Sequence, residues 1–268
     1  MVTTFLGRVG DHNDAAMRGS RIVGDALARH IGTTSNEVGT PQPALDAGWR
    51  DELAAASGPL TAITAAIEHV MTRRAIPVTA LTRCAVALAT LPVVARHRPD
   101  ACVVWFDAHA DLHLPNTTSS GYLGGMALSG PLGWWNTGHG GGLAVADVVL
   151  GGTRDIDPPE HDLIARHGVV TVEGGPGFSR RLRAAIDARP VYWHLDCDVL
   201  EPGIVPTDYH VPGGLTLDDL HAAATVIAEH ELVGLEIAEF QDTELDELSP
   251  SPQPLLDALA PAITATNI

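Results

Sequence analysis

Two apolar runs of strand length, at 103–106 and 191–195, stop abruptly at potential metal ligands. Unbroken apolar runs of this length are typical of strands buried on both faces of a parallel sheet. Alternate residues of an extended segment point to the same side, so ligands spaced two residues apart can converge. The ligands that follow the two runs are Asp107, His109, Asp111, Asp196 and Asp198.

The rest of the chain alternates apolar strand patterns with helical ones. Besides the two runs above, the predicted strands are Val2–Leu6, Pro77–Leu81, Val145–Leu150, Val169–Val172 and Leu232–Ala238. The predicted helices are Gly19–His30, Ala44–Ala56, Leu60–Arg73, Cys84–Arg96, Phe178–Ala188 and Leu217–His230, and Thr33–Pro43 is predicted to be a surface loop. This order predicts an α/β fold, a central parallel sheet with helices on both faces, in one domain over residues 1–268.

Acidic side chains follow four of these strands, and a parallel sheet would gather them at one carboxyl edge. They are Asp107, Asp155 with Asp157, Asp196 with Asp198, and Glu236 with Glu239. Carboxylate oxygens suit Mn²⁺ or Mg²⁺ better than Zn²⁺. Two such ions would lower the pKa of a shared water and supply hydroxide near neutral pH. The alternative is that these acids cap helices, which explains a single Asp better than two clusters.

Composition and charge narrow the class of partner. With 16 basic and 33 acidic residues the net charge is -17, which argues against nucleic acid and anionic membranes as partners. The negative net charge favours a cationic small molecule as the substrate, although an acidic surface also keeps a protein soluble. No apolar run reaches the roughly 18 residues of a membrane span, and the N-terminus does not resemble a signal peptide. We expect a soluble, cytoplasmic protein whose three cysteines form no disulfide framework.

Four sequence blocks resemble the signatures of the arginase, or ureohydrolase, family. They are Asp-Ala-His-Ala-Asp at 107–111, Leu-Asp-Cys-Asp-Val-Leu-Glu-Pro at 195–202, Gly-Gly-Leu-Thr at 213–216 and Glu-Ile-Ala-Glu at 236–239. The similarity extends from about Pro77 to Glu239. It implies a single-domain, three-layer α/β/α fold, a binuclear manganese centre, hydrolysis of a guanidino group and, often, a homo-oligomer.

The resemblance also implies roles for the metal-edge residues. Asp107 and Asp196 resemble the carboxylates that bridge both metal ions. Asp111 resembles a ligand of the first ion and the acid that relays the proton of the hydroxide. The ligands of the second ion would be His109 and Asp198, and the carboxylate paired with the substrate guanidinium would be Glu239.

At the rim, the chain resembles family members that act on α-amino acids. The block at 154–161 matches the arginase version, so Asp157 and Glu160 would bind the substrate ammonium. Ser120 resembles the serine that binds the substrate carboxylate. His113 stands where the family usually has an asparagine that helps to hold the same carboxylate. An arginine-like amino acid is therefore favoured over agmatine.

Two departures from the family pattern affect the chemistry. The chain reads Leu-Thr-Arg-Cys-Ala at 81–85 where the family reads Gly-Gly-Asp-His-Ser, so Cys84 replaces a metal-binding histidine. A thiolate matches manganese poorly, and the alternative is that Cys84 is a buried residue at a helix start. Gly124 replaces a histidine used in proton shuttling, which would leave room beside the guanidino group.

Three hypotheses follow. The first is hydrolysis of Nω-hydroxy-L-arginine to hydroxyurea and L-ornithine, as in a branch of the family that works in D-cycloserine biosynthesis. Gly124 would give room for the extra hydroxyl. The second is an ordinary arginase or another ureohydrolase that acts on guanidino or formimino acids. The third is a catalytically silent homologue, against which the crowded carboxylates argue, because they repel one another without metal.

Overall fold

The computed structural model describes residues 1–242 and 251–264. Eight strands form one parallel sheet in the order β2-β1-β3-β8-β7-β4-β5-β6. The strands are β1 Val2–Phe5, β2 Ser35–Val38, β3 Val78–Ala80, β4 Cys102–Phe106, β5 Val148–Gly151, β6 Val170–Val172, β7 Val191–Asp196 and β8 Leu232–Ala238. The helices are α1 Ala15–Ile31, α2 Trp49–Thr72, α3 Ala87–His97, α4 Pro158–His167, α5 Phe178–Ile186, α6 Leu217–Ile227 and α7 Gln253–Thr264.

Helices cover both faces of the sheet and bury a separate core on each. On one face α1, α5, α6 and α7 pack on a cluster that includes Val104 and Trp193. On the other face α2, α3 and α4 pack on a cluster that includes Val103 and Tyr192. Successive residues of a strand thus point into opposite cores, which explains why apolar residues follow one another along the central strands. The predicted three-layer α/β/α fold is confirmed.

Several predicted boundaries were wrong. The predicted loop Thr33–Pro43 contains β2, a short polar strand at the sheet edge that has no apolar signal. The two helices predicted on either side of Pro59 are one helix, α2, because its apolar residues continue along one buried face past the proline. A 3₁₀ turn at Cys84–Val86 precedes α3. Helix α6 ends three residues before His230.

Other boundaries differ by a few residues. Helix α1 begins at Ala15, earlier than predicted, and α5 ends at Ile186, where Asp187 adopts a positive φ of 56°. Residues 145–147 form a 3₁₀ turn before β5. No helix in the described part of the chain is long and apolar enough to cross a membrane. The single domain over 1–268 stays a prediction.

Candidate metal centre and active site

The three central strands β4, β7 and β8 bring acids to one edge of the sheet. They lie next to one another and run parallel, so their carboxyl ends coincide. Asp107 follows β4, Asp196 ends β7 and Glu239 follows β8. All three carboxylates are buried. The edge predicted from the apolar runs is therefore where these side chains meet.

Among residues 1–242 and 251–264, three groups of side chains have ligand atoms close enough to hold a metal ion. Within each group the atoms lie within 4.8 Å of one another. The groups are Cys84 with Asp107 and Asp111, Cys84 with Asp196 and Glu239, and Asp107 with His109 and Asp198. The structure thus brings together every residue predicted as a metal ligand, including Cys84, which stands in place of the family's histidine.

His109 lies between two carboxylates. Its Nδ1 is 3.2 Å from Asp107 Oδ1 and 3.1 Å from Asp198 Oδ2. Burial lowers the pKa of His109, but the two carboxylates raise it by more, so the net direction is upward. Asp198 Oδ2 is a buried oxygen that no described group satisfies with hydrogen-bond geometry. Within the described part of the chain, this oxygen has only the 3.1 Å contact with His109 Nδ1 described above, so it has capacity to bind a cation.

Cys84 is held at the metal edge by polar contacts. Its thiol donates to Asp196 Oδ2 at 3.0 Å and lies 3.1 Å from His194 Nε2. His194 in turn lies 2.7 Å from Glu236 Oε1 through Nδ1 and stacks on the Trp105 ring at 3.5 Å between centroids. Burial raises the pKa of the Cys84 thiol, and the Asp196 carboxylate raises it further. Cys84 is thus a buried residue, as the alternative interpretation predicted. Its neighbours, however, include the ligand atoms of the predicted metal centre.

The charges at this edge fit a divalent cation. Burial raises the pKa of Asp111, and so does the charge of Asp107. Burial and the charge of Asp198 raise the pKa of Asp196 well above its ordinary value and that of Asp107 to about 6. Buried carboxylates that repel one another are stabilised when a cation lies among them. The mostly oxygen donor set suits Mn²⁺ or Mg²⁺.

The backbone is strained at two of these acids. Asp111 has a φ of +53° and Glu239 a φ of +65°, a region that residues with a Cβ rarely adopt. The Asp111 carbonyl accepts hydrogen bonds from the backbone of Leu128 and Ser129 at 3.0 and 3.2 Å, which fixes this conformation. Strain of this kind persists where the surrounding structure holds it, often at functional sites.

A cleft of about 220 Å³ opens beside the metal edge. Its lining includes His109, Asp111, His113, Ser120, Tyr122, Asp155, Asp157 and Glu160. The four residues predicted to hold the amino-acid end of the substrate, His113, Ser120, Asp157 and Glu160, therefore face one cavity. Their roles stay predictions.

Asp157 and Glu160, at the rim of this cleft, differ in how many hydrogen bonds from the protein their carboxylates accept. His113 Nε2 lies 2.9 Å from Asp157 Oδ2, and Asp157 is largely exposed. Glu160 is buried, and both of its carboxylate oxygens accept backbone N–H groups, from Leu112 at 2.8 Å and from Asp157 at 3.2 Å. Asp157 is thus more accessible to an ammonium group than Glu160.

The space left by Gly124 is filled, contrary to the prediction that it lies open. A Cβ built on Gly124 would lie 2.3 Å from Tyr122 Cε1 and 2.9 Å from the Tyr122 hydroxyl oxygen. The Tyr122 ring stacks on His12 with 4.5 Å between centroids. A contact between two neighbouring residues of an irregular loop leaves no periodic signal, so sequence reasoning missed Tyr122.

Arg83 is the second residue that sequence reasoning missed. It is fully buried and contacts three acids, with Nε 3.2 Å from Asp11 Oδ1, and Nη1 2.8 Å from Asp208 Oδ2 and 2.7 Å from Glu239 Oε2. A signal was available, because Arg83 stands where the family block has Asp. Glu236, predicted to face the crevice, instead lies behind His194 within β8.

Comparison with known proteins agrees with this geometry. A family model described as the arginase family matches residues 16–247. The chain is 39% identical over 262 residues to an Nω-hydroxy-L-arginine amidinohydrolase from Streptomyces lavendulae, covering 97% of this chain and 95% of that protein.

Solved arginase structures share the fold over nearly the whole chain. The arginase from Bacillus cereus superposes with a TM-score of 0.81 at 23% identity, covering 99% of this chain and 96% of that one. The arginase from Entamoeba histolytica also gives 0.81, at 18% identity over 97% of this chain and 96% of its own. The family-model match and the 39% identical relative show that the chain belongs to the arginase family and is a hydrolase of carbon–nitrogen bonds in linear amidines.

Proposed function

We propose that the chain hydrolyses Nω-hydroxy-L-arginine to hydroxyurea and L-ornithine with two Mn²⁺ ions per subunit. The observation that carries this proposal is the 39% identity, over 97% of the chain, to a hydroxyarginine amidinohydrolase. The cysteine among the ligand atoms supports a centre that differs from that of ordinary arginases. The oxygen-rich ligand groups support manganese.

In the proposed reaction the cations would be held by Asp107, His109, Asp111, Asp196 and Asp198, with Cys84 beside them. When bound, they supply hydroxide by lowering the pKa of water. Asp111 accepts the proton of the attacking hydroxide at its carboxylate and passes it to the departing Nδ amine of ornithine. Asp111 lines the cleft beside the metal edge, so its carboxylate lies where it can take and return this proton.

The rim of the cleft positions the substrate for this step. Asp157 pairs with the α-ammonium group, and Ser120 and His113 hold the α-carboxylate. These residues line the same cavity as Asp111. Fixing both ends of the amino acid orients the guanidino carbon, which lowers the entropic part of the barrier.

The test is a parallel assay of the Mn²⁺-loaded protein on Nω-hydroxy-L-arginine and L-arginine, following hydroxyurea, urea and ornithine with the metal content measured. We expect hydroxyurea release to exceed urea release at equal substrate. Preferential urea release would make the chain an ordinary arginase. Two bound ions without turnover of either compound would point to other guanidino or formimino acids.

A further inference from the structure

Both oxygens of the Glu239 carboxylate are already occupied by groups of the protein. Oε2 accepts from Arg83 Nη1 at 2.7 Å, and Oε1 accepts from the backbone N–H of Cys84 at 3.0 Å. Both Arg83 and Glu239 are buried. A substrate guanidinium that paired with Glu239 would therefore have to share this buried carboxylate with a guanidinium that belongs to the chain, and the two like charges would repel each other.

Arg83 is fixed at this place by more than one acid. Asp11 accepts from Nε at 3.2 Å, and Asp208 accepts from Nη1 at 2.8 Å. Three acids on separate segments thus hold one buried cation. Moving it aside would leave these acids unpaired, which is strongly unfavourable in a buried site.

Two hydrogen-bond donors beside Glu239 are left without acceptors. Arg83 Nη2 and the Tyr122 hydroxyl are buried and have no hydrogen-bond partner among residues 1–242 and 251–264. Tyr122 also lines the cleft, and its ring packs on Gly124, whose turn at 124–126 lies against the turn at 84–86 that follows Arg83. Buried donors without acceptors are rare in folded proteins, and each calls for an acceptor from a ligand.

The terminal groups of the two candidate substrates differ in what they offer these donors. The guanidinium of L-arginine is a full cation that carries only N–H donors. An N-hydroxyguanidine is a weaker base, because the hydroxyl withdraws electrons, and its oxygen accepts hydrogen bonds. A cation with donors only would face a second cation and two unsatisfied donors, whereas an oxygen would satisfy them.

We propose that Arg83 and Tyr122 are specificity-determining residues that select a substrate with a terminal oxygen acceptor and disfavour a guanidinium. Arg83 takes the place at Glu239 that a substrate guanidinium needs, and Arg83 Nη2 and the Tyr122 hydroxyl receive the oxygen. This inference rests on the proposed function, because it names what separates Nω-hydroxy-L-arginine from L-arginine at the same site.

The first test uses the unaltered protein loaded with Mn²⁺ and measures binding rather than turnover. L-Citrulline has the shape of L-arginine but a neutral end with a carbonyl oxygen. We expect L-citrulline to bind at least about tenfold more tightly than L-arginine, the ratio that one hydrogen bond to a charged donor provides. The titrations are made at 4 °C, with urea measured to correct for turnover. Equal or tighter binding of L-arginine would overturn the inference.

The second test uses substitutions and the ratio of kcat/KM for Nω-hydroxy-L-arginine over that for L-arginine. Arg83→Met frees Glu239 and should lower this ratio at least about tenfold, and Tyr122→Phe removes one donor and should lower it several-fold. Arg98→Met is the matched control, because Arg98 pairs with Asp100 and Glu231 on the surface outside the cleft. Its ratio should be unchanged.

The outcomes separate this inference from the proposed function. If the unaltered protein hydrolyses neither compound, the proposed function fails, and the L-citrulline comparison still decides the inference. If Arg83→Met or Tyr122→Phe remains active with an unchanged ratio, the inference fails while the function stands. If Arg83→Met does not fold, Tyr122→Phe and the titrations carry the decision.

Discussion

Because Gly124 has no Cβ, the ring of Tyr122 can fill the space beside it. The Tyr122 ring lies where a side chain on Gly124 would project, with its hydroxyl oxygen 2.9 Å from that point. A histidine, which the family pattern places here, and the present position of Tyr122 exclude each other. Gly124 therefore makes room for the ring of Tyr122, from the same loop, and does not enlarge the cleft.

Gly124→Ala should destabilise the protein by about 1–3 kcal/mol, because the new methyl group overlaps the Tyr122 ring at 2.3 Å. The double variant Gly124→Ala with Tyr122→Ala should be no less stable than Tyr122→Ala alone, since the overlap is then gone. Urea unfolding measures all three variants.

Gly125→Ala is the matched control for this prediction. A Cβ on Gly125 would meet only His113 Cδ2, at an ordinary distance of 3.6 Å. Its effect on the free energy of unfolding should stay within about 0.5 kcal/mol. Equal losses for Gly124→Ala and Gly125→Ala would show that Tyr122 does not occupy the space beside Gly124.

Single ligand residues could be predicted because the signal lies in short spacings. Asp107, His109 and Asp111 follow one apolar run, and Asp196 and Asp198 lie at the end of another, so the runs alone predict one shared edge. The residues converge there through irregular backbone, with Asp111 at a φ of +53° and a 3₁₀ turn at Cys197–Val199, rather than through extended alternation. Arg83 could not be predicted in this way, because the acids that hold it come from loops more than seventy residues away. Only the folded chain brings them together.

At the scale of elements, helix α3 and strands β7 and β8 share one buried polar network. Glu236 on β8 accepts from the Tyr192 hydroxyl at 2.7 Å and from the Thr90 hydroxyl at 2.8 Å, and its other oxygen lies 2.7 Å from His194. All these groups lie in the interior. The network thus fixes the strand that carries Asp196 against the helix that follows Cys84.

Glu236→Leu should cost about 3–5 kcal/mol of unfolding free energy, because it leaves three buried polar groups without their acceptor. Thr90→Val removes only one donor of the same network and should cost about 1 kcal/mol. Chemical denaturation of the two variants against the unaltered chain makes the comparison. A Glu236→Leu loss no larger than that of Thr90→Val would contradict the shared network.

The central strands were found because their residues are buried throughout. Strand β8 was predicted with its observed bounds, since its apolar run is unmistakable. Strand β2, Ser35–Val38, was missed because it lies at the sheet edge and is mostly accessible. Glu236 was expected beside Glu239, but Glu236 lies within β8 and contacts His194, whereas Glu239 follows the strand with a φ of +65°.

At the scale of the molecule, repulsion between the buried acids should make stability depend on metal. We expect added Mn²⁺ to raise the melting temperature and a chelator to lower it, because binding to the folded state alone stabilises it by about 2.7 kcal/mol at one hundred times the dissociation constant. Calorimetry with and without EDTA gives the measurement.

Asp198→Asn is the control for the metal dependence. It removes one charged ligand, whose Oδ2 has no hydrogen-bond partner among the described residues. The Mn²⁺-dependent rise in melting temperature should therefore shrink in this variant. The same melting temperature with Mn²⁺ and with EDTA in the unaltered protein would contradict a metal centre at this edge.

The order of strands in the sheet has a consequence for how the protein matures on the ribosome. Strand β8 lies between β3 and β7, although it is the last of the described strands in chain order. A nascent chain that ends before Leu232 lacks both this strand and Glu239, so no strand pairs with both halves of the sheet. The metal edge therefore assembles only after β8 has been made, when pairings between residues more than 150 positions apart close the sheet, and such distant pairings form slowly.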